Sequence, residues 1–498
     1  MSNVKTYTIN TTIEKTTMSI NYFAQTNYRN NVQEFGIKPK DRRRHMYVIG
    51  KTGVGKTTLI QNMAIQDIRN GKGVAIVDPH GELAEDCLKA VPANRIKDVI
   101  YFNPADLDFP IAFNVMEQVD PKLRHLVASG LIGVFKKLWA DSWGPRLEHI
   151  LRNAILALLE YPSATLLGIN RIFIDEDYRE KVLAEVTNTE VKKFWNKEFA
   201  GYNDRFAKEA IAPIQNKIGQ FLSTPLIRNI FGQSKSSFDI REIMDNQKIL
   251  IMNLSKGRIG EDNSALIGAM MITKIQLSAM SRVDTPKNQR NDFFLYVDEF
   301  QNFSTQSFAD ILAEARKYHL NIILAHQFIT QLEEIVRDSV FGNVGTMICF
   351  GIGAMDAEIL EKEFSPLFSA NDLIHLEKYH IYLKLMIDGE VSKPFSATTL
   401  KPINISGNEE TVEEIIEFNR KEYGSKEEEV EDSIQQWEEN PEVKIGEKTD
   451  KSGKTKAFDS KCDKCKIKIT LPFKPQKTRP VFCNKHFKEY QLTLHKKK

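Results

Sequence analysis

Short apolar runs that end in polar residues recur along the chain and predict buried, parallel β-strands. There are six such runs: Val74–Asp78, Val99–Phe102, Ile249–Met252, Phe293–Val297, Ile322–Ala325 and Met347–Phe350. Helical periodicity separates most of them, so the predicted fold class is α/β, a mainly parallel sheet covered by helices on both faces. The carboxyl ends of parallel strands meet at one edge of such a sheet, and ligand-binding residues are expected there.

Between residues 119 and 237 the pattern changes to helical periodicity, with no run typical of a strand. Apolar residues recur at helical spacing, as in Leu147, Ile150, Leu151, Ala154, Ile155, Leu158 and Leu159. An all-helical insert is therefore predicted to interrupt an α/β domain made of residues 41–118 and 238–402.

Weaker patterns flank this core. Residues 1–40 alternate weakly at Tyr7, Ile9 and Ile13, which predicts an N-terminal extension with a short strand or two. Residues 403–455 are predicted to form an acidic linker, partly helical and partly flexible, and residues 456–498 a small separate module. The few apolar anchors of the linker are Ile415, Ile416 and Phe418.

Length and composition favour a soluble, multidomain, cytoplasmic protein. A chain of 498 residues with 42% hydrophobic residues predicts about three units with real cores. Five cysteines, three of them in the tail, do not resemble the paired framework of a secreted protein. The sequence has no 18-residue apolar span, and its polar start lacks the layout of a signal peptide.

The net charge of +2 conceals a strong asymmetry. Residues 409–442 carry 14 acidic and 3 basic side chains, whereas residues 444–498 carry 17 Lys or Arg and 5 Asp or Glu. A basic tail of this kind suits a polyanionic partner such as DNA. Two solvated charge runs that keep the protein soluble are the alternative.

A glycine-rich segment lies between the apolar stretch Met46–Ile49 and a helical pattern over Leu59–Ile68, and it fits the phosphate loop G-x-x-x-x-G-K-[ST]. In such a loop backbone N–H groups and the helix start face the phosphates, Lys56 reaches the β- and γ-phosphates, and the Thr57 hydroxyl binds Mg²⁺. ATP with Mg²⁺ is the predicted ligand. The residues assigned to it are Gly50, Lys51, Thr52, Gly53, Val54, Gly55, Lys56, Thr57 and Thr58.

Two adjacent acids, Asp298 and Glu299, follow the apolar run Phe293–Val297. Phosphoryl transfer needs a metal ion that neutralises charge and an oriented water. We assign Asp298 to the Mg²⁺ shell and Glu299 to the polarisation of the attacking water, which predicts ATP hydrolysis. An acidic pair that merely caps the next helix is the alternative.

Three further residues are candidates for the same site. Arg316, supplied by a neighbouring subunit, is expected to stabilise the transition state, and Gln327, at a strand end, to sense the γ-phosphate. An ion pair for Arg316 and a simple strand-terminal role for Gln327 are the alternatives. Asp78 ends the strand next to the phosphate loop and is a candidate to hold the waters of the metal or the Lys56 ammonium. His80, two residues later, is a weaker candidate.

The tail holds two pairs of potential metal ligands at the spacing of a tetrahedral zinc site. The predicted ligands are Cys462, Cys465, Cys483 and His486. Four ligands leave no open position, so Zn²⁺ would be structural and would supply much of the folding energy of the module. Nearby lysines suit DNA phosphates or a protein partner equally well.

Together these motifs resemble the coupling ATPases of conjugation and type IV secretion, relatives of the HerA/FtsK class of hexameric DNA translocases. The segments that carry the resemblance are Gly50–Thr57, Tyr296–Phe300, Ala315–Lys317 and His326–Gln327, and the helical insert lies where that family has its all-α domain. The resemblance, over about residues 40–400, implies a RecA-like core, a homo-hexameric ring, Arg316 acting between subunits, and DNA threaded through a pore.

Two features depart from the family. Many coupling proteins carry N-terminal transmembrane helices, whereas this sequence has none, so peripheral attachment to the inner face of the cytoplasmic membrane is an alternative to a purely cytoplasmic location. The zinc-ribbon-like tail is an addition that would recruit DNA, a relaxase-type cargo or another protein, such as a component of the secretion channel.

The predicted function is therefore ATP-driven transport of DNA or nucleoprotein to a secretion channel. A soluble HerA-like DNA-processing motor and an ATP-gated recruitment module with little turnover are the alternatives. The sequence lacks the Asn-Lys-x-Asp motif of signalling GTPases and the Leu-Ser-Gly-Gly signature of ATP-cassette transporters, so both classes are disfavoured.

Overall fold

A computed structural model describes most of the chain and divides it into two units, residues 1–445 and 446–498. The described residues are 20–27, 32–117, 119–405, 409–439, 458–461, 464–465 and 467–471. The alternation predicted around Tyr7, Ile9 and Ile13 lies outside them.

The strands of the first unit are β1 Asn21–Thr26, β2 Glu34–Ile37, β3 Met46–Ile49, β4 Gly73–Asp78, β5 Val99–Phe102, β6 Ile249–Asn253, β7 Phe293–Val297, β8 Leu320–His326, β9 Thr346–Cys349, β10 His380–Lys384, β11 Met386–Ile387, β12 Glu390–Val391 and β13 Phe395–Thr399. In the second unit an antiparallel pair is described, β14 Phe458–Lys461 and β15 Lys468–Leu471.

The α-helices are α1 Pro39–Arg42, α2 Lys56–Arg69, α3 Glu82–Lys89, α4 Arg124–Leu138, α5 Pro145–Leu158, α6 Leu167–Ile174, α7 Glu176–Glu185, α8 Thr189–Lys193, α9 Asp204–Leu222, α10 Pro225–Phe231, α11 Ile240–Asp245, α12 Lys256–Ile259, α13 Glu261–Ser281, α14 Gln306–Glu314, α15 Glu334–Asn343, α16 Ala354–Phe364, α17 Ala370–Ile374, α18 Glu409–Glu422 and α19 Glu427–Glu439. In the described part of the chain, no helix is long and apolar enough to cross a membrane.

An eleven-stranded sheet organises the first unit, in the order β2-β1-β13-β10-β9-β3-β8-β7-β4-β6-β5. The strands from β9 to β5 are parallel, and the four at the other end are antiparallel. Every strand predicted from the apolar runs is present. The α/β prediction is confirmed, and the strands β1 and β2, from the predicted extension, join the same sheet.

Alternate side chains of the central strands enter two separate cores. In β3, Met46 and Val48 pack with the buried side of α2, whereas Tyr47 and Ile49 pack with the other core. That second core also contains α13 and the helices of residues 119–237, hereafter the insert, in which helices and no strand are found. Both faces of the sheet are thus covered, which explains why its strands are apolar throughout.

The acidic helices α18 and α19 lie in the segment that was predicted as a linker. Within the first unit, α18 packs beside β5 and α19 packs on the insert. Ile415 of α18 is fully buried, and the Asn419 side chain accepts a hydrogen bond of 2.8 Å from the backbone N–H of Tyr101 in β5, the last strand of the sheet. In α19, the ring centroid of Trp437 lies 5.8 Å from that of Tyr178 in the insert. Residues 409–439 are therefore folded, because their few apolar side chains have partners there.

A buried ion pair joins the phosphate-loop helix to the strand that carries the acids. The Arg42 guanidinium donates two hydrogen bonds of 2.8 Å to the Asp67 carboxylate of α2. It donates a third, of 2.7 Å, to the Tyr296 hydroxyl of β7, which itself donates to Asp67 at 2.6 Å. Asn21 of β1 also donates to Asp67, at 3.0 Å. These bonds fix β1, α1, α2 and β7 relative to one another.

We expect Arg42→Met to lower the free energy of unfolding by about 3–5 kcal/mol, because it leaves the buried Asp67 carboxylate without its cation. The adjacent Arg43 supplies a matched control, since it pairs with Asp292 at 2.8 Å in a more exposed position. Arg43→Met should cost about 1 kcal/mol or less. Urea unfolding of both variants would check this, and equal losses would contradict the importance of the buried pair.

Candidate active site

The phosphate loop connects the end of β3 to the start of α2, as its sequence predicted. Gly53 and Gly55 have φ angles of 74° and 116°, in the left-handed region that glycine adopts without strain. A Cβ on Gly55 would also lie 2.9 Å from the ring of Tyr379. The Tyr379 backbone N–H donates to the Val54 carbonyl at 3.0 Å, so that this tyrosine lies directly against the loop.

Lys56 is buried, and its ammonium group curls back onto the loop. It donates to the carbonyl oxygens of Gly50 and Lys51, at 2.8 and 3.0 Å. Burial lowers the pKa of Lys56, while the carboxylates of Glu299 and Asp298 act in the opposite direction. A phosphate bound in the loop would give this ammonium a close negative partner.

Thr57 and Asp298 face each other across the site. The Thr57 hydroxyl lies in the first turn of α2 and donates to Asp298 Oδ2 at 3.3 Å. Burial raises the pKa of Asp298 to about 6, and the Glu299 and Asp78 carboxylates add to this shift. The Thr57 hydroxyl and the Asp298 carboxylate supply oxygen ligands, which Mg²⁺ prefers. A cation bound there would also offset the repulsion between the carboxylates. Thr58, the next residue, is half-buried in the same turn.

Glu299 is held from two sides in an unusual backbone conformation. Its φ is 45° and ψ 51°, a left-handed conformation that is strained for a residue other than glycine. Its Oε1 accepts a hydrogen bond from Gln327 Nε2, and its Oε2 accepts one of 2.6 Å from Gln301 Nε2. Gln327 Oε1 in turn accepts from the Thr52 hydroxyl of the phosphate loop, at 3.1 Å. Gln327 therefore bridges the loop and the acid.

Sequence reasoning missed Gln301 and Tyr379. Gln301 lies two residues after Glu299, in a 3₁₀ turn whose polar composition gave only a weak signal. Tyr379 lies far away in the sequence and reaches the phosphate loop only through the tertiary fold. Neither residue has a spacing relative to the phosphate loop that would have identified it.

Asp78 lies at the expected sheet edge but has local hydrogen-bond partners. Its Oδ1 accepts from the backbone N–H of His80 at 2.8 Å, and its Oδ2 from that of Ala84 at 2.9 Å. Its carboxylate therefore orders the turn and helix that follow β4. The Lys56 ammonium donates its hydrogen bonds to carbonyl oxygens of the phosphate loop. Asp78 influences the site through its charge, which raises the pKa of Asp298. Of the two roles expected for Asp78, the hydrogen bonds do not support holding the Lys56 ammonium, and holding the waters of the metal stays a prediction.

Arg316 lies at the opposite edge of the sheet from the phosphate loop. It precedes β8, whereas Gln327 follows the same strand, and β3, β7 and β8 run in parallel. Within one chain, the length of β8 therefore separates Arg316 from the phosphate loop. Action on the site of a neighbouring subunit remains a prediction.

The surroundings of Arg316 are strongly basic. A cavity of about 830 Å³ has six cationic and two acidic side chains in its lining. These are Lys38, Lys40, Arg43, Lys287, Arg316, Lys317, Asp41 and Asp388. Asp388 is paired with Lys38, and Asp41 accepts hydrogen bonds from the backbone N–H groups of Asp388 and Gly389. The net positive charge of this cavity suits an anionic group.

Of the predicted zinc ligands, only Cys465 lies within the described residues. Cys462, Cys483 and His486 lie outside them, so the ligand set stays a prediction.

Comparison with known proteins identifies the family. A family model described as the type IV secretion-system coupling protein DNA-binding domain matches residues 30–364, about two-thirds of the chain. The chain belongs to this family. A second model, described as a probable treble clef zinc finger, matches residues 455–491. The presence of a zinc module in the tail is thereby confirmed, with a treble clef in place of the predicted ribbon.

Solved coupling proteins share the fold. The unbound conjugative coupling protein TrwBdeltaN70 superposes with a TM-score of 0.54 at 15% identity, over 75% of this chain and 88% of that chain. TrwB in complex with ADP and Mg²⁺ gives 0.54 at 16% identity, over 76% and 90% of the two chains. TrwB with a non-hydrolysable ATP analogue gives 0.55 at 16% identity, over 75% and 89%.

A curated relative is the type 4 coupling protein DotL of Legionella pneumophila subsp. pneumophila. It is 20% identical over 386 residues, which cover 65% of this chain and 49% of DotL. The chain thus aligns with about half the length of this relative.

The raised pKa of Asp298 predicts pH-dependent binding of Mg²⁺. A proton competes for the carboxylate below a pH of about 6, so the gain in nucleotide affinity on adding Mg²⁺ should be constant between pH 7 and 8. It should then fall by up to about tenfold per pH unit as the pH drops below 6. Titrations with ADP, with and without Mg²⁺ at each pH, would measure this gain, and because Mg²⁺ also competes with protons on the nucleotide phosphates, the wild type is compared with a variant that lacks the carboxylate.

Asp298→Asn is the matched variant for this measurement. It should bind Mg²⁺ more weakly and keep only the shallower pH dependence that comes from the nucleotide phosphates. The same acid-side decline in the variant would assign the titration to another group.

Proposed function

We propose that this protein is an ATP-hydrolysing motor of the coupling class, which recruits DNA or a nucleoprotein and moves it toward a secretion channel. One observation carries the proposal: a phosphate loop, Asp298 and Glu299 meet at one sheet edge in a chain of the coupling-protein family. The complexes of TrwB with ADP and Mg²⁺, and with an ATP analogue, lend support by similarity of fold.

Each residue has a distinct role in this proposal. Lys56 neutralises the β- and γ-phosphates, and Thr57 and Asp298 would hold Mg²⁺, which supplies charge neutralisation on the phosphate oxygens. Glu299 accepts a proton from the attacking water. Gln301 and Gln327 orient its two oxygens, and through Thr52 the bridge from Gln327 is sensitive to the state of the phosphate loop.

Other parts of the proposal rest on sequence and family. They are the division into a motor of residues 41–118 and 238–402 with its insert, a homo-hexameric ring, Zn²⁺ bound in the tail, and a cytoplasmic location, with peripheral attachment to the inner face of the cytoplasmic membrane as the alternative. A soluble HerA-like DNA motor shares the same site and differs only in its cargo. An ATP-gated recruitment module would not need the ordered Glu299.

Glu299→Gln should abolish DNA-stimulated ATP turnover and leave ATP affinity unchanged within about threefold. Loss of the general base should cost about 10²–10⁴ in turnover number, whereas Lys56 and Thr57, which bind phosphates and metal, remain. ATP hydrolysis would be measured with single-stranded DNA, with double-stranded DNA and without DNA, all at one ionic strength because phosphate contacts are salt-sensitive. Glu334→Gln, on an exposed helix, is the control.

The outcomes separate the candidate functions. Stimulation by DNA that Glu299→Gln removes supports a DNA motor. Turnover that is indifferent to DNA refutes translocation and favours recruitment of a protein, and retention of recruitment by Glu299→Gln would favour the gated module.

Arg316 supplies a test of the ring. Neither Arg316→Ala nor Lys56→Ala should turn over alone, since an arginine that acts in trans contributes about 10³–10⁵ to the rate. Mixtures of the two should regain activity, because sites with an intact Lys56 would then meet an intact Arg316 across some interfaces. Lys317→Ala, next to Arg316 and paired with Glu314 at 2.8 Å, is the control and should retain turnover. Mixtures without activity would contradict action in trans.

A further inference from the structure

Lys137, near the end of the first helix of the insert, reaches out of the insert to the loop that follows the catalytic acids. Its ammonium group donates hydrogen bonds of 2.6 Å to the backbone carbonyls of Gln301 and Ser304, and one of 3.4 Å to the Ser304 hydroxyl. The ammonium group of Lys137 thus donates to three acceptors of a single turn. Lys137 is half-buried, and this burial lowers its pKa to about 8.

The same turn holds Glu299. Gln301 Nε2 donates to Glu299 Oε2 at 2.6 Å, and Asn302 Nδ2 donates to the Glu299 carbonyl at 2.9 Å. The strained backbone of Glu299 persists only where its surroundings fix it, so the turn determines where the carboxylate points. The Gln301 amide oxygen is buried without a hydrogen-bond partner in the described part of the chain. The donated bond to Glu299 is therefore the specific contribution of this side chain.

Helix α4 packs so closely against α13 and α14 that a displacement of α4 is passed on to its neighbours. A Cβ added to Gly130 would lie 2.5 Å from Thr273 Cγ2 of α13, so the two helices approach as closely as glycine allows. Gly133, one turn further along, faces Ser307 at the start of α14, 3.5 Å from an added Cβ. A shift of α4 must consequently either move the turn with it or break the bonds of Lys137, since packed interiors do not deform continuously.

Building on the proposed function, we propose that Lys137 is a positioning residue that couples the helical insert to Glu299 through the Gln301–Ser304 turn. Cargo or a partner bound to the insert then regulates ATP hydrolysis by shifting α4. The effect is directed at the Glu299 carboxylate, whereas the ammonium of Lys56 keeps its contacts within the phosphate loop, so nucleotide affinity should change little when the turn moves. Regulation acts on the turnover number alone.

Lys137→Met tests the coupling, because methionine keeps most of the stem and removes the three hydrogen bonds. In the full-length chain we expect the turnover number for ATP to fall about tenfold to a hundredfold, the cost of a slightly misplaced group. KM and nucleotide affinity should change less than about threefold, and stimulation by DNA should be lost. Lys136→Met, the exposed neighbour on the same helix, should match the wild type.

A double-mutant cycle distinguishes positioning from a general loss of structure. If Lys137 acts through Glu299, then Lys137→Met combined with Glu299→Gln should be no slower than Glu299→Gln alone. Gln301→Ala breaks the next link, the bond to Glu299, and leaves in place the backbone carbonyls that bind Lys137. It should show the same loss in turnover number, and that loss should be non-additive with Lys137→Met. This second variant decides the matter if Lys137→Met fails to fold.

The coupling would be overturned if the losses were independent and multiplicative, or if Lys137→Met kept wild-type turnover and DNA stimulation. Either result would leave the proposed function intact. A wild-type chain without ATP turnover would instead refute the proposed function itself.

Discussion

The parallel register of β3, β7 and β8 is the constraint on which the site depends. Their carboxyl ends deliver the phosphate loop, the two acids and Gln327 to one edge, where the buried Lys56 ammonium meets Asp298 and Glu299. The same register places Arg316 at the other edge. The phosphate loop and the two acids therefore lie at one edge of the sheet, and the basic cavity around Arg316 lies at the other.

Two cations, the buried Arg42 and the half-buried Lys137, connect the surroundings of this site to its chemistry in different ways. Arg42 joins the phosphate-loop helix to β7 through Asp67 and Tyr296, and it stabilises the framework. Lys137 comes from the insert and holds only the turn beside Glu299. Burying a charge is costly unless it is well paired, so each marks a place where the fold maintains a specific geometry.

The strands, the insert and the main site residues were predictable because each has a local signature. Buried parallel strands are apolar throughout, a phosphate loop needs glycines followed by Lys56, and acids that follow a buried strand point to metal chemistry. The helices α18 and α19 were predicted as a linker, because a few apolar residues among many acids do not reveal their partners. The local backbone bonds of Asp78 were not predicted, since they cannot be seen in a pattern.

By itself, the sequence determined the fold class and the nucleotide ligand, and it predicted site roles for Lys56, Asp298 and Glu299, because these depend on the order of residues within short segments. Only the tertiary structure decided which edge Arg316 occupies, that Gln327 bridges the loop and Glu299, and that Lys137 reaches the turn beside them. Those contacts join segments that are distant in the sequence, and their distances follow from strand order and helix packing.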